Sequence, residues 1–157
     1  MNKKEVKVCS LLIAIFSLRI FGLMMIVPVL PVYLHTLDSD NSVFLGLIIG
    51  IYGFTQALLQ IPLGYLSDIV GRKKVIFGGL LMLCFGSFIA YLAQSAYLMI
   101  LGRAIQGAGA IGSTILAAIS DHTSEKNRTL AMAFLGASVG ISFFLSLIIG
   151  PVVASKF

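Results

Sequence analysis

The stretch Gly64-Tyr-Leu-Ser-Asp68-Ile-Val-Gly71-Arg72-Lys73-Lys74 places charge between two long apolar segments. Apolar residues run from about 44 to 66 before it and from about 75 to 92 after it. Because a charge at the centre of a bilayer is energetically costly, the stretch predicts a polar turn between two membrane-spanning helices. The chain is expected to turn on Gly71, which is followed by three successive cations.

Asp68 is the residue in this turn that most needs an explanation. It falls near the C-terminus of the preceding helix, where the helix dipole disfavours an anion. A cation or the N-terminus of another helix would resolve that conflict. Arg72 follows four residues later, within reach of Asp68 if the helix persists and also across a tight turn if it does not.

Composition places the whole chain in a membrane. Its 157 residues are 59% hydrophobic and 11% charged, with a mean hydropathy of +1.05, whereas soluble domains are about a quarter charged. A hydrocarbon core of about 30 Å needs about 20 apolar residues per helix. Five blocks supply them, at about 10–34, 44–66, 75–93, 97–119 and 129–153. We expect an all-α polytopic protein with no soluble domain in residues 1–157.

The distribution of cations predicts the orientation. Eight of the eleven precede the first block or lie between the second and third or the fourth and fifth: Lys3, Lys4, Lys7, Arg72, Lys73, Lys74, Lys126 and Arg128. Only Lys156 falls on the other side, and Arg19 and Arg103 lie inside blocks. This pattern predicts a cytoplasmic N-terminus. Because the cations do not form one patch, the net charge of +5 does not indicate nucleic-acid binding.

The charged turn also carries a family resemblance. G-x-L-S-D-x-x-G-R-K resembles the signature loop between the second and third helices of the major facilitator superfamily of secondary transporters. Gly64, Asp68, Gly71 and Arg72 stand at the family spacing, and Ile69 stands where the family usually has arginine. The resemblance implies a fold of twelve helices in two six-helix halves, of which this chain supplies the first five.

Three further motifs extend the resemblance along the chain. Residues 22–31 resemble the first-helix motif, and the phrase R-x-x-Q-G-x-G, starting at Arg103, resembles the fourth-helix motif. Gly150-Pro151 matches the centre of the antiporter motif in the fifth helix, whose other glycine positions are filled here by small residues. The resemblance therefore implies the drug:proton antiporter branch, and within it a group of bacterial inner-membrane transporters.

The resemblance assigns candidate roles to residues in three groups. The implied conformational latch consists of Gly64, Asp68, Gly71, Arg72 and Asp121. The candidates for the transport cavity or for proton coupling are Arg19, Gln56, Arg103 and Gln106. Gly150 and Pro151 form the implied helix-packing motif.

Three of the four cavity candidates also have a structural interpretation. Arg19 either snorkels to the headgroups or faces the cavity. Gln56 either faces the cavity or bonds to another helix. Arg103 either is satisfied by backbone carbonyls of broken helices or contacts a substrate anion or a proton-coupled group.

Gly46-x-x-x-Gly50 predicts close helix packing.

The resulting functional prediction is the N-terminal part of a secondary active transporter. We expect proton-coupled efflux of small, drug-like molecules by alternating access, in a multi-pass protein of the bacterial inner membrane. The expected partners are membrane lipid, a small-molecule substrate, the proton, and a missing C-terminal half or partner chain. No catalytic constellation, phosphate loop or metal-ligand spacing is present, so no enzyme activity, cofactor or metal is expected. The alternatives are a metabolite or sugar importer of the same fold and a truncated, non-transporting membrane protein.

Overall fold

The computed structural model describes residues 2–36 and 42–155, which form seven α-helices. The helices are α1 (Lys3–Ile26), α2 (Leu30–Thr36), α3 (Ser42–Val70), α4 (Arg72–Tyr91), α5 (Ala96–Ala108), α6 (Gly112–Asp121) and α7 (Glu125–Ala154). Five stretches are long and apolar enough to cross a membrane: α1, α3, α4, α5 together with α6, and α7. The chain is thus an all-α polytopic membrane protein with five membrane-spanning helices.

Two of the predicted spans are interrupted. The block at 10–34 corresponds to α1 and α2, with a break at residues 27–29 that contains Pro28. Proline cannot donate the backbone hydrogen bond that would continue the helix. The block at 97–119 is not one continuous helix, because residues 109–111 are non-helical between α5 and α6. Residues 37–41 of the predicted acidic loop and Lys156 lie outside the described residues.

The first helix starts earlier than the apolar block that predicted it. Asn2 and Glu5 form a capping box, in which the Asn2 backbone N–H donates to the Glu5 carboxylate at 3.0 Å. A capping box satisfies N–H groups that a helix start would otherwise leave unpaired. The helix therefore begins at Lys3, ahead of the apolar residues.

The chain divides into two compact units, which are described separately. The first contains the residues up to Leu30 together with those from Ile115 onward, and the second contains Pro31–Thr114. In the first unit α1 packs against α7. In the second unit α5 packs against both α3 and α4.

Glycines set the closest approach between α4 and α5. A Cβ atom added to Gly86 would lie 2.6 Å from the Gln106 backbone nitrogen and 2.7 Å from the Gly102 carbonyl oxygen. A Cβ added to Gly102 would lie 2.8 Å from the Ala90 nitrogen. These obstacles are backbone atoms, which cannot rotate away. Such backbone proximity is a main source of helix association in lipid, where apolar side chains gain little by leaving their surroundings.

Not every small-residue pattern marks a contact. Added Cβ atoms on Gly46 and Gly50 would meet nothing within 4 Å. The packing prediction for this pair is therefore wrong for contacts within the described chain. On the other side of the same helix, the backbone of Tyr52 leaves no space for a side chain at Gly107 of α5.

In the first unit, Gly150 performs the same packing role. A Cβ atom at this position would lie 2.5 Å from the carbonyl oxygen of Met25 and 3.2 Å from Cγ of Pro28. Gly150 and the following Pro151 lie near the end of α7, and Gly150 is buried. The glycine thus allows α7 to approach the end of α1 at backbone distance.

Candidate functional site

The turn between α3 and α4 consists of a single residue. α3 ends at Val70, α4 begins at Arg72, and Gly71 between them has φ +105° and ψ +137°. Gly71 is also the one glycine with positive φ in the described ranges. Residues with a Cβ atom rarely adopt this conformation, so the sequence needs glycine here to reverse direction within one residue.

The charged residues of this turn meet directly. Asp68 and Arg72 form an ion pair across Gly71. Arg72 Nη1 also donates to Ser67 Oγ at 2.6 Å, and Ser67 Oγ donates to the carbonyl oxygen of Gly64 at 2.6 Å. The Asp68 side chain is 55% exposed and that of Arg72 is 23% exposed, so the pair contributes about 0–1 kcal/mol to stability.

Gly64 joins this cluster to the start of α6. A Cβ atom on Gly64 would lie 3.0 Å from Ser113 Oγ. That hydroxyl donates to the carbonyl oxygen of Gln60 at 2.7 Å. Four of the five predicted latch residues, Gly64, Asp68, Gly71 and Arg72, therefore lie in one cluster of the second unit.

A second polar cluster lies inside the second unit, on α5. Arg103 is 1% exposed and Gln106 is 0% exposed. Arg103 Nη1 donates to Gln106 Oε1 at 2.9 Å, and Gln106 Nε2 donates to Ser87 Oγ of α4 at 2.8 Å. The guanidinium carbon of Arg103 lies 4.8 Å from the centre of the Tyr52 ring on α3. The two predicted residues are thus part of a chain of side chains that connects three helices.

The electrostatics of this cluster are unusual for a buried cation. Arg103 forms no ion pair within residues 2–36 and 42–155, and its Nε is buried there without a hydrogen-bond partner. Its charge is stabilised by the amide dipole of Gln106 and by the face of an aromatic ring. The accepting group is a side-chain amide, and not a backbone carbonyl as one interpretation expected. The arrangement can accept an anionic group, which would complete a buried ion pair.

The remaining candidates are Arg19, Asp121 and Gln56. Arg19 is buried at 3% exposure in α1, and Asp121 is exposed at the end of α6. Both belong to the first unit. Gln56 is half-buried on α3, one helical turn after Tyr52. The structure thus places Arg103 and Gln106 in direct contact.

The sequence did not reveal the neutral partners of these site residues. Ser67 and Ser87 accept hydrogen bonds from predicted site residues, and Tyr52 faces Arg103. A signal existed for Tyr52, which precedes Gln56 by four residues and so shares its helix face. Ser87 is an isolated hydroxyl in an apolar helix, and sequence alone does not distinguish its contact from a bond to its own backbone.

The sequence also did not reveal that Glu5 connects α1 to the start of α7. Its Oε1 accepts from the backbone N–H of Ser124 at 3.3 Å, and its Oε2 accepts from Asn127 Nδ2 at 3.2 Å. Ser124 is the N-cap of α7. The carboxylate therefore links the first turn of α1 to the first turn of α7, where the helix dipole favours an anion.

Five spanning helices, a charged one-glycine turn and a buried arginine cluster define a polytopic membrane protein. Residues 12–157 match the family model of the Major Facilitator Superfamily, and the chain belongs to this family. It is 49% identical to the inner membrane transport protein YajR of Escherichia coli K12, over 90% of this chain and 31% of that protein. This relative is one of the inner-membrane group that the sequence motifs resemble.

Two further relatives extend the comparison. An uncharacterized transporter of Buchnera aphidicola from Acyrthosiphon pisum is 41% identical over 100% of this chain and 40% of its own length. The class H tetracycline resistance protein of Pasteurella multocida is 34% identical over 96% of this chain and 36% of its own. The chain thus spans between 31% and 40% of the length of these relatives.

Proposed function

We propose that this chain forms the N-terminal part of a proton-coupled transporter that exports small, drug-like molecules by alternating access. The observation that carries the proposal is Arg103, a buried cation held by neutral groups. A buried charge of this kind needs an anionic partner for at least part of a working cycle. A substrate group and the carboxylate of a proton-carrying acid could take that place in turn, which would couple the two movements.

The proton-carrying acid is proposed to lie on a second half of the transporter. The described acids Glu5, Asp68, Asp121 and Glu125 all lie within the first or last turns of helices or beside them. None is positioned in the middle of a span, where a proton carrier would exchange between the two sides. The second half would be supplied by the same polypeptide or by a partner chain.

Export, rather than import, is favoured by one class of relative. Among the similar proteins is one named for tetracycline resistance, at 34% identity over nearly the whole of this chain. The location is proposed to be the bacterial inner membrane, as for the YajR relative. The positive-inside pattern of the cations supports a cytoplasmic N-terminus.

The α3–α4 turn is proposed to act as a conformational latch. Gly64, Asp68, Gly71 and Arg72 form one cluster there, and the family resemblance adds Asp121. A weak, half-exposed ion pair is suited to this role, because a switch needs states that differ by only a few kcal/mol. Arg19 and Gln56 remain proposed cavity residues, and Gly150 with Pro151 remains the proposed packing motif.

The test of transport uses inverted membrane vesicles with an interior-acid pH gradient, monitored by a pH-sensitive dye. The chain is expressed alone and together with the part of YajR that lies beyond the matched region. Tetracycline is the probe, and its uptake in exchange for protons should dissipate the gradient only when both parts are present. Arg103→Gln should abolish the signal and Arg103→Lys should keep part of it. Equal signals from wild type and Arg103→Gln would refute the proposed role.

The two alternative functions predict different results. An importer coupled to protons would alkalinise the medium of intact cells when its metabolite is added. A truncated, non-transporting protein would insert stably and give no signal with any second half. The orientation is tested separately, by asking whether a cysteine placed at Asn2 reacts with an impermeant reagent only in inverted vesicles.

The latch is tested with Asp68→Asn and Arg72→Ala in the same two-part transporter. Both should slow transport while leaving membrane insertion intact, because the exposed pair contributes only about 0–1 kcal/mol to folding. Lys73→Gln is the matched control, since it removes an adjacent exposed cation outside the cluster. Unchanged transport in both latch variants would exclude the role.

A further inference from the structure

Ser87 of α4 is the last side chain in the polar chain that begins at Arg103 of α5. Arg103 Nη1 donates to Gln106 Oε1 at 2.9 Å, and Gln106 Nε2 donates to Ser87 Oγ at 2.8 Å. Ser87 Oγ in turn donates to the carbonyl oxygen of Leu83 at 2.7 Å. Three consecutive hydrogen bonds therefore connect the buried guanidinium to the backbone of the neighbouring helix.

The direction of every bond in this chain is fixed from both ends. Arginine can only donate, so the amide oxygen of Gln106 must face Arg103 and the amide nitrogen must face Ser87. A backbone carbonyl can only accept, so the single hydroxyl proton of Ser87 is directed to Leu83. The Ser87 oxygen is then left as an acceptor, which is what the Gln106 nitrogen requires. Both ends of the chain thus select the same orientation of the Gln106 amide.

Close packing holds the rest of the Gln106 side chain. A Cβ atom added to Gly86 would lie 2.8 Å from Gln106 Cγ, so the aliphatic part of the glutamine lies against the backbone of α4. Rotation of the terminal amide is the main freedom that remains. Inside a lipid-embedded span no water replaces a lost acceptor. Without Ser87, the amide nitrogen would have to turn toward another acceptor, and the amide oxygen would turn away from Arg103.

The orientation of the Gln106 amide determines which donor of Arg103 is occupied. Tyr52 contacts the guanidinium through the face of its ring, an attraction that does not select one N–H group over another. The bond to Gln106 does select one, because it is made by Nη1. Nε of Arg103 is buried without a hydrogen-bond partner in residues 2–36 and 42–155. It is therefore a donor that remains for an anionic group.

We propose that Ser87 is a positioning residue for Arg103. It holds the amide of Gln106 in the orientation that keeps Nη1 occupied and leaves Nε for the anionic partner. Ser87 acts only through Gln106, and it does not itself contact the guanidinium. The consequence for transport rests on the function proposed above, whereas the positioning of Arg103 does not.

The test measures hydrogen exchange of the arginine side chains by NMR, in the purified chain in detergent labelled with nitrogen-15 arginine. Arg19, Arg72, Arg103 and Arg128 each give a signal, and Arg103→Lys identifies the signal of Arg103. Ser87→Ala should accelerate exchange at the Arg103 guanidinium about fivefold, since one net hydrogen bond is worth about that factor. Ser87→Thr should restore the wild-type rate, because a threonine hydroxyl in a helix can bond to the same backbone carbonyl.

The signal of Arg72 distinguishes positioning from a general loss of stability. Arg72 belongs to the same unit as Arg103 and is held by Ser67. A general weakening of this unit would accelerate exchange at both arginines, whereas the loss of positioning in Ser87→Ala should accelerate exchange at Arg103 alone.

Two further variants test the route through Gln106. In a Gln106→Met background, which removes both amide bonds, Ser87→Ala should have no additional effect on exchange at Arg103. Cys84→Ala is the matched control on α4, where Cys84 is an exposed free cysteine. It should leave the exchange rate of Arg103 unchanged.

Transport by the two-part transporter tests the functional consequence. Ser87→Ala should slow the exchange of tetracycline for protons about fivefold, and Ser87→Thr should restore it. Absence of exchange in wild type would refute the proposed function, while the hydrogen-exchange rates of the chain alone would still decide the role of Ser87.

Three outcomes would overturn the proposal. Equal exchange at Arg103 in wild type and Ser87→Ala would show that the hydroxyl does not position the guanidinium. Equal acceleration at Arg72 and Arg103 would reduce Ser87 to a general stabilising residue. A full effect of Ser87→Ala in the Gln106→Met background would show that the amide is not the link.

Discussion

Replacement of Gly71 by alanine tests the physical basis of the turn between α3 and α4. The residue has φ +105° and ψ +137°, outside the helical and extended regions that residues with a Cβ atom occupy. An added Cβ would meet nothing within 4 Å. The substitution therefore introduces backbone strain without a steric clash, so that its energy reports on the conformation alone.

The expected magnitude follows from two opposing terms. A non-glycine residue in a sparsely populated backbone region costs about 1–3 kcal/mol. Alanine also restricts the unfolded chain, which offsets about 0.4–1 kcal/mol of that cost. We expect a net loss of about 1.3 kcal/mol at the junction, equivalent to about a ninefold change in the local opening equilibrium.

Gly78→Ala is the matched control for this substitution. Gly78 lies in α4, its added Cβ would also meet nothing within 4 Å, and it has no positive φ. There the same change should stabilise the helix by about 0.5–1 kcal/mol, because glycine in a helix interior is unfavourable. The two alanines should thus act in opposite directions.

The assay is native-state hydrogen exchange of the purified chain in detergent. The reporting amide is Val75, which donates to the carbonyl oxygen of Gly71 at 3.4 Å. Its exchange should accelerate about ninefold in Gly71→Ala and remain unchanged or slow down in Gly78→Ala. Equal protection in wild type and Gly71→Ala would refute the argument that this backbone conformation requires glycine.

Three other predictions concern packing and the polar contacts. Gly150→Ala should lower the unfolding free energy by about 1–3 kcal/mol, because its Cβ meets the backbone of Met25. Gly140→Ala, whose Cβ meets nothing within 4 Å, should not lower it. Denaturant unfolding measures the unfolding free energy of both variants. A double-mutant cycle on Arg103→Ala and Gln106→Ala should give a coupling energy of about 1–3 kcal/mol, and additive losses would exclude the buried hydrogen bond. Glu5→Gln should accelerate hydrogen exchange in the first turn of α7, and an unchanged rate there would count against its link to Ser124.

The sequence was sufficient for the features that depend on hydrophobicity and backbone conformation. Long apolar runs identified the five spans, because lipid leaves no alternative to helices that satisfy their own backbone. Gly71 was identifiable because a reversal between two helices within a few residues favours glycine. The Asp68–Arg72 pair followed from a spacing of four residues and a charge conflict at a helix end.

The features that the sequence did not reveal depend on which helix is the neighbour. Gly46 and Gly86 are both glycines in apolar helices, yet only Gly86 lies at an interface within the described chain. Local sequence contains no information about the identity of the neighbouring helix. The same reason explains Tyr52 and Ser87, whose roles come from contact with α5. The break at residues 109–111 begins at Gly109, but a single glycine in an apolar run does not predict an interruption.

The geometry of the α3–α4 turn limits how the latch could work. Asp68 and Arg72 lie on either side of one glycine, so their ion pair can persist whatever the rest of the transporter does. A contact that is equally strong in two states shifts no equilibrium between them. Discrimination must therefore come from a group elsewhere that meets this pair in one state only, and Asp121 or a second half of the transporter is the proposed source.

Asp68→Asn distinguishes a local effect on the α3–α4 turn from an effect on the latch. Asp68→Asn in the chain alone should alter hydrogen exchange at the junction only slightly, because the exposed pair contributes about 0–1 kcal/mol. A local energy of about 1 kcal/mol can change the transport rate by about fivefold at most. In the two-part transporter the same variant should change the transport rate by more than this. If the change in rate does not exceed the local energy, the pair serves only to stabilise the turn, and the switch must lie elsewhere.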